Sequence, residues 1–142
     1  MATKVQSAAA PFRKALTAKL AALGYPVSAS VNDWPRVEIT DVTESGPIDK
    51  GDDVREIGFI IEAISNRGYS EAATIAEAIE DALTGCGTLT VTGWQVLEIY
   101  RELGQEINEV GDADLLIIRR RTQYRANVAR NQYPNNTIKQ WQ

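Results

Sequence analysis

Histidine is absent from this chain, and cysteine occurs once, at Cys86. Without an imidazole there is no Ser-His-Asp or Cys-His nucleophile, no His-ligated zinc and no ordinary proton shuttle near neutral pH. Carboxylate pairs, lysine and carboxylate-bound magnesium survive as chemistries. No nucleophile stands beside a base, however, so the expectation is a protein without enzymatic activity or cofactor. A lone cysteine forms no internal disulfide, and Cys86 in "TGCGT", just after a helix, reads as a small buried filler. Long apolar runs are missing as well. Nothing reaches the roughly eighteen residues of a membrane span, and "MATKVQSAAAPF" is too polar for a signal peptide. The chain is expected to stay in the cytoplasm, with no membrane partner.

What is present suits one domain: 142 residues, 44% of them hydrophobic, with a net charge of −4. That length supports a real core. The charge is unevenly placed. All 19 acidic residues lie between Asp33 and Asp114 with five basic ones, a net of −14, while residues 1–32 carry +4 and residues 115–142 carry +6. Basic ends around an acidic middle suit self-complementary surfaces or separate faces for different partners; a solvated charge pattern is the plainer reading.

Phe12, Leu16, Leu20 and Leu23 recur at helical spacing, with Pro11 in the first turn and Gly24 as a stop, predicting a helix from about Ser7 to Leu23. "WPRVEITDV" follows as a half-buried strand with Val37, Ile39 and Asp41 inward and Pro35 at its start. The acidic loop "TESGPIDKGDD" connects it to an antiparallel neighbour. That neighbour, "VREIGFIIEAIS", puts Ile57, Phe59, Ile61 and Ala63 on one face and Gly58, Ile60, Glu62 and Ile64 on the other. The second face is too apolar for simple exposure, so Ile60 and Ile64 are expected to be covered or to meet another subunit. Asn66, Arg67 and Gly68 then turn the chain. A second helix follows, with Ser70 as N-cap, Glu71 in its first turn, Ala72, Ile75, Ala76, Ile79 and Leu83 as its apolar stripe, and Gly85 as its end.

Two further strands, "TLTVTGWQVLEIYREL" and "DADLLIIRRRTQYRANV", flank "GQEINEVG", which reads as a hairpin connection. The last begins apolar and ends basic, with Arg119, Arg121 and Arg125 on one face and Arg120 on the other. Such a ladder pairs with acidic neighbours, and a strand of this kind can leave the core for another chain. "ARNQYPNNTIKQWQ" is polar and lacks periodicity, so residues 129–142 are expected to be a disordered or extended tail behind a single domain of residues 1–128. The fold class is α+β: about four strands in a mixed or antiparallel sheet with two helices, in the order α-β-β-α-β-β.

The helix, the proline-led "WPRVEI", the strand "EIGFIIEAIS", the turn and helix "NRGYSEAATIAEAIEDAL", the pair "LTVTGWQVLEI" and the arginine-bearing strand together resemble the tail-completion, or tail-terminator, proteins of long-tailed bacteriophages. The resemblance covers about residues 8–126. Many members carry an Asp-x-Asp-Gly turn before the last strand; "GDADLL" keeps Asp112 and Asp114 but has Leu115 in place of the glycine.

The resemblance implies a virion protein, assembled in the host cytoplasm, that forms a ring, usually sixfold, on the last ring of the tail tube, stops tube growth and meets the head-tail connector. Its partners would be itself, the tube protein and the connector, with DNA only passing through the lumen. A cyclic ring needs two different complementary surfaces on each subunit. Arg119, Arg121, Arg125, Ile60 and Ile64 are the candidates for subunit or partner contacts. Two acidic loops, residues 41–53 and 102–114, are candidates to face the lumen, through Glu44, Asp49, Asp52, Asp53, Glu106, Glu109 and Asp112. Other readings stay open: an interaction module of another assembly, a carboxylate metal site at Glu109, Asp112 and Asp114, or a nucleic-acid binder through Arg119, Arg120, Arg121 and Arg125.

Overall fold

The computed structural model describes residues 7–28, 30, 33–45, 54–110 and 116–130. Helix α1 (Ala9–Ala21) buries Phe12, Leu16 and Leu20, one residue per turn on a single face. Ser7, just outside the helix, caps its start by accepting from the Ala9 amide at 3.2 Å through Oγ. Glu44, far along the chain, does so too: its Oε1 accepts from Ser7 Oγ at 2.6 Å and from the amides of Ala8 and Ala9 at 3.0 and 3.1 Å. Those amides are among the four that every helix start leaves without an intrahelical partner.

Strand β1 (Arg36–Ser45) pairs antiparallel with β2 (Val54–Ser65). The expected inward position of Asp41 is corrected here. The register shifts between Thr40 and Val42, and Asp41 takes φ 41° and lies exposed. Such a bulge flips the phase of the pleat, so Val42 packs against the core in its place. Strand β1 also runs on to Ser45, through residues expected to form the acidic loop. β2 has the expected bounds, with Ile57, Phe59, Ile61 and Ala63 buried toward the helices.

Helix α2 (Tyr69–Leu83) buries Ala72, Ile75, Ile79 and Leu83. Its N-cap is Gly68, not Ser70. Gly68 stands at φ 123° and ψ −178°, a conformation open essentially to glycine alone. That sharp turn starts the helix before Ser70 arrives, while Ser65 Oγ accepts from the Arg67 amide and donates to Glu71. Cys86 follows α2 and is exposed, not the buried filler expected.

Strands β3 (Trp94–Val110) and β4 (Leu116–Arg130) pair antiparallel along their whole described length. Residues 104–110, expected as a hairpin connection, are therefore strand. The turn formers in "GQEINEVG" are overridden by pairing with the apolar start of β4. Bulges between Val96 and Glu98 and between Arg101 and Leu103 break the simple alternation: Val96 and Ile99 both reach the core.

All four strands form one antiparallel sheet in the order β1-β2-β4-β3, as the α+β expectation requires. Both helices lie on one face, α1 against β1 and α2 across β2, β4 and β3. Between the layers Phe59 stacks on Tyr124 with ring centroids 5.4 Å apart and meets Phe12 at 5.2 Å. Burial of such side chains stabilises by about 1.5–3 kcal/mol each. No helix among the described residues is long and apolar enough to cross a membrane.

Candidate functional site

Among the described residues, the face of the sheet turned away from the helices carries no second layer of helix or strand, and the arginine ladder lies on it. Register fixes its rows. Arg119 stands between Ile64 of β2 and Ile107 of β3, Arg121 between Glu62 and Gln105, Gln123 between Ile60 and Leu103, and Arg125 between Gly58 and Tyr100. The structure thus brings Arg119, Arg121, Arg125, Ile60 and Ile64 onto one surface. Ile64 is nevertheless fully buried, flanked in register by Arg36 and Arg119.

The ladder is largely neutralised from within the chain. Arg119 Nη1 donates to Glu62 Oε1 at 3.0 Å and lies 3.8 Å from Glu38 Oε2. Arg125 pairs with Glu56 and with Glu102, its Nε 2.9 Å from Glu102 Oε2. Hydrogen bonds from Arg125, first to Glu102 and then to Glu56, hold its guanidinium above its ordinary pKa. Arg36, only 2% exposed, donates to Glu38 at 2.9 Å and lies over the Trp34 ring at 4.7 Å. Arg121 differs: it is half-buried, and among the described residues it has no ion pair or side-chain hydrogen bond. Beside it, Leu103 is 58% exposed. Chemically the surface can take a carboxylate at Arg121 and an apolar group over Ile60 and Leu103.

The acidic candidates separate. Glu44 is on β1, not in a loop, and serves α1 and Arg55 Nε, the latter at 3.1 Å. Glu106 is likewise in strand β3 and pairs with Arg120 at 3.4 Å, on the helix side of the sheet. Glu109 belongs to β3 too, opposite Ile117. Extended pairing with β4 is what converts the expected loop into strand. Asp49, Asp52, Asp53, Asp112 and Asp114 lie outside the described residues.

Sequence reasoning missed the acidic half of this surface. Glu56 and Glu62 were visible on β2 at even spacing, but only the register shows that they oppose β4. Arg36 and Glu38 carried no signal beyond their separation by two, which places them on one face of a strand.

No protein-family model and no curated protein matches the chain. Among solved structures, a chain from the virion of a native gene transfer agent particle is similar, with a TM-score of 0.70 and 21% identity over 88% of this chain and 99% of that one. At that identity the two share a fold.

Proposed function

We propose that this protein is a structural virion component that closes the head-proximal end of a phage-type tail tube as a ring, sixfold in arrangement, halts tube growth and offers a surface to the head-tail connector. The observation that carries the reading is the fold likeness to a virion chain over 99% of that chain's length. The tail-terminator resemblance in the sequence supports the position proposed within the particle. A sheet face on which, among the described residues, Arg121 is half-buried and unpaired supplies a surface suited to protein contact.

In such a ring at least one of the two acidic connections faces the lumen. Val54 at the start of β2 pairs with Ala129, and Ser65 at its end pairs with Ile118, so the described strand ends Ser45 and Val54 lie at one end of the sheet and Val110 and Leu116 at the other. The lumenal one repels passing DNA by like charge. Glu44 is withdrawn from that role, since it is held by α1 and Arg55.

The test is electron microscopy of particles made with and without this protein. Overlong tails, or tails that fail to join heads, are expected in its absence. Tails of normal length joined to heads without it would sink the reading.

A further inference from the structure

The two helices have opposite charge. α1 contains Arg13, Lys14 and Lys19 and no acidic residue; α2 contains Glu71, Glu77, Glu80 and Asp81 and no basic one. Neither helix can therefore pair its charges along its own length. Arg13 and Lys14 are exposed on α1, and Arg13 Nη2 donates to the Ile39 carbonyl of β1 at 3.2 Å, which turns this side of α1 toward the β1 edge of the sheet. On α2, Glu80 pairs with Arg101 of β3 at 3.1 Å, which turns that side toward the β3 edge. Glu77 and Asp81 are exposed and without an ion pair among the described residues. They are helix neighbours four apart, a like-charge spacing unfavourable within an isolated helix.

Since β1 and β3 are the two edges of the sheet, Arg13 and Glu80 turn the charged sides of their helices toward opposite edges of the same molecule. Opposite charges on opposite sides do not satisfy each other within one copy; they do so between successive copies. A contact of this kind is heterologous, and its repetition closes a ring where the rotation between copies closes. The exposed residues beside Arg13 and Lys14 on α1, namely Ala10, Thr17, Ala18 and Ala21, are small and permit close approach of a neighbouring helix.

We propose that the acidic outer face of α2, through Glu77 and Asp81, docks on the basic outer face of α1, through Arg13 and Lys14, of a second copy of this chain. The inference rests on the ring reading and assigns its subunit contact.

Two double variants test it: R13E/K14E, with the outer faces of both helices acidic, and E77K/D81K, with the outer face of α2 made basic. All four positions are exposed, so each variant should fold as the parent does by circular dichroism. Sedimentation of the full-length chain is followed across protein concentration from about 0.05 M to about 0.5 M salt. The parent is expected to self-associate and to do so more weakly at high salt. Each variant alone should associate at least about tenfold more weakly, since like charges then face each other. An equimolar mixture should recover association, because each variant's faces match the other's and alternate copies still close an even-numbered ring. A parent that stays monomeric at every salt concentration, a variant that associates as the parent does, or a mixture that fails to recover would overturn the proposal. The tail-capping role is judged separately, by particle morphology without the protein: association indifferent to these charges, with tails still running on, removes the contact and leaves the ring.

Discussion

Glu44 shows how one side chain can tie three parts of a fold together. One carboxylate oxygen serves the N-terminus of α1 and the other pairs with Arg55 of β2, itself only 4% exposed. Loss of a helix cap costs about 0.5–2 kcal/mol, and removal of one partner of a buried pair about 3–5 kcal/mol. Arg55 has further contacts, so Glu44→Ala should lower unfolding free energy by about 2–4 kcal/mol in denaturant titration. Glu44→Gln, which keeps an acceptor for the amides, should lose less; equal losses would show that capping contributes nothing separable. Tyr124 makes a second prediction at this scale. It is 1% exposed, and burial first, then the charge of Glu80, pushes its hydroxyl well above the usual value. The unfolded chain releases this proton near pH 10 while the folded chain keeps it, so the contribution is complete below about pH 10. It then falls by about 1.4 kcal/mol per pH unit until the folded hydroxyl ionises too. Tyr124→Phe keeps the ring against Phe59 and should flatten alkaline unfolding relative to the parent. Parallel curves from pH 9 to pH 12 would remove Tyr124 as the cause.

At the scale of elements, the start of α2 separates two residues that look equally important in sequence. Gly68 is at φ 123°, where a side chain is strained, with open space around its α-carbon. Gly68→Ala should therefore cost about 1–3 kcal/mol through the backbone alone. Ser70 lies inside the helix and caps nothing, so Ser70→Ala should change stability by no more than about 0.5 kcal/mol. A thermal melt of each variant decides, and a larger loss at Ser70 would restore it as the cap. The same contrast explains which elements were legible. β2 and the stripe of α2 obey one period from end to end, and both were read with correct bounds or correct faces. β1 and β3 contain bulges at Asp41, Leu97 and Glu102, and a bulge leaves no residue signature strong enough to find without the partner strand. The length of β3 was hidden for a related reason: Gly104, Gln105 and Asn108 are poor strand formers that β4 recruits by pairing.

Across the whole molecule, the arginine ladder was visible as a ladder, but its role depended on what faced it. Sequence spacing placed Arg119, Arg121 and Arg125 together; the sheet order β1-β2-β4-β3 then set Glu38, Glu56, Glu62 and Glu102 around two of the three. Arg119 and Arg125 are thereby engaged in the monomer, and among the described residues of the ladder Arg121 is left as the cation available to a partner. Removing Arg125 strands Glu56 and leaves Glu102 with Gln123 alone, whereas removing Arg121 strands no carboxylate. Arg125→Ala should thus lower stability by about 1–2 kcal/mol, allowing for partial solvent screening of half-buried pairs. Arg121→Ala should lower it by less than about 1 kcal/mol. Alanine is the sharper substitution at this position, since Arg121→Glu would also set a carboxylate directly across from Glu62. In assembly the order reverses. An arginine whose acidic partner comes from a neighbouring subunit or from the connector loses about 2–5 kcal/mol of contact on truncation, so Arg121→Ala should melt normally and yet reduce the number of complete particles seen by electron microscopy. An Arg121→Ala protein that melts normally and supports complete particles at parental numbers would take the open sheet face out of assembly. One that melts as poorly as Arg125→Ala would show that Arg121 serves the monomer as its neighbours in the ladder do.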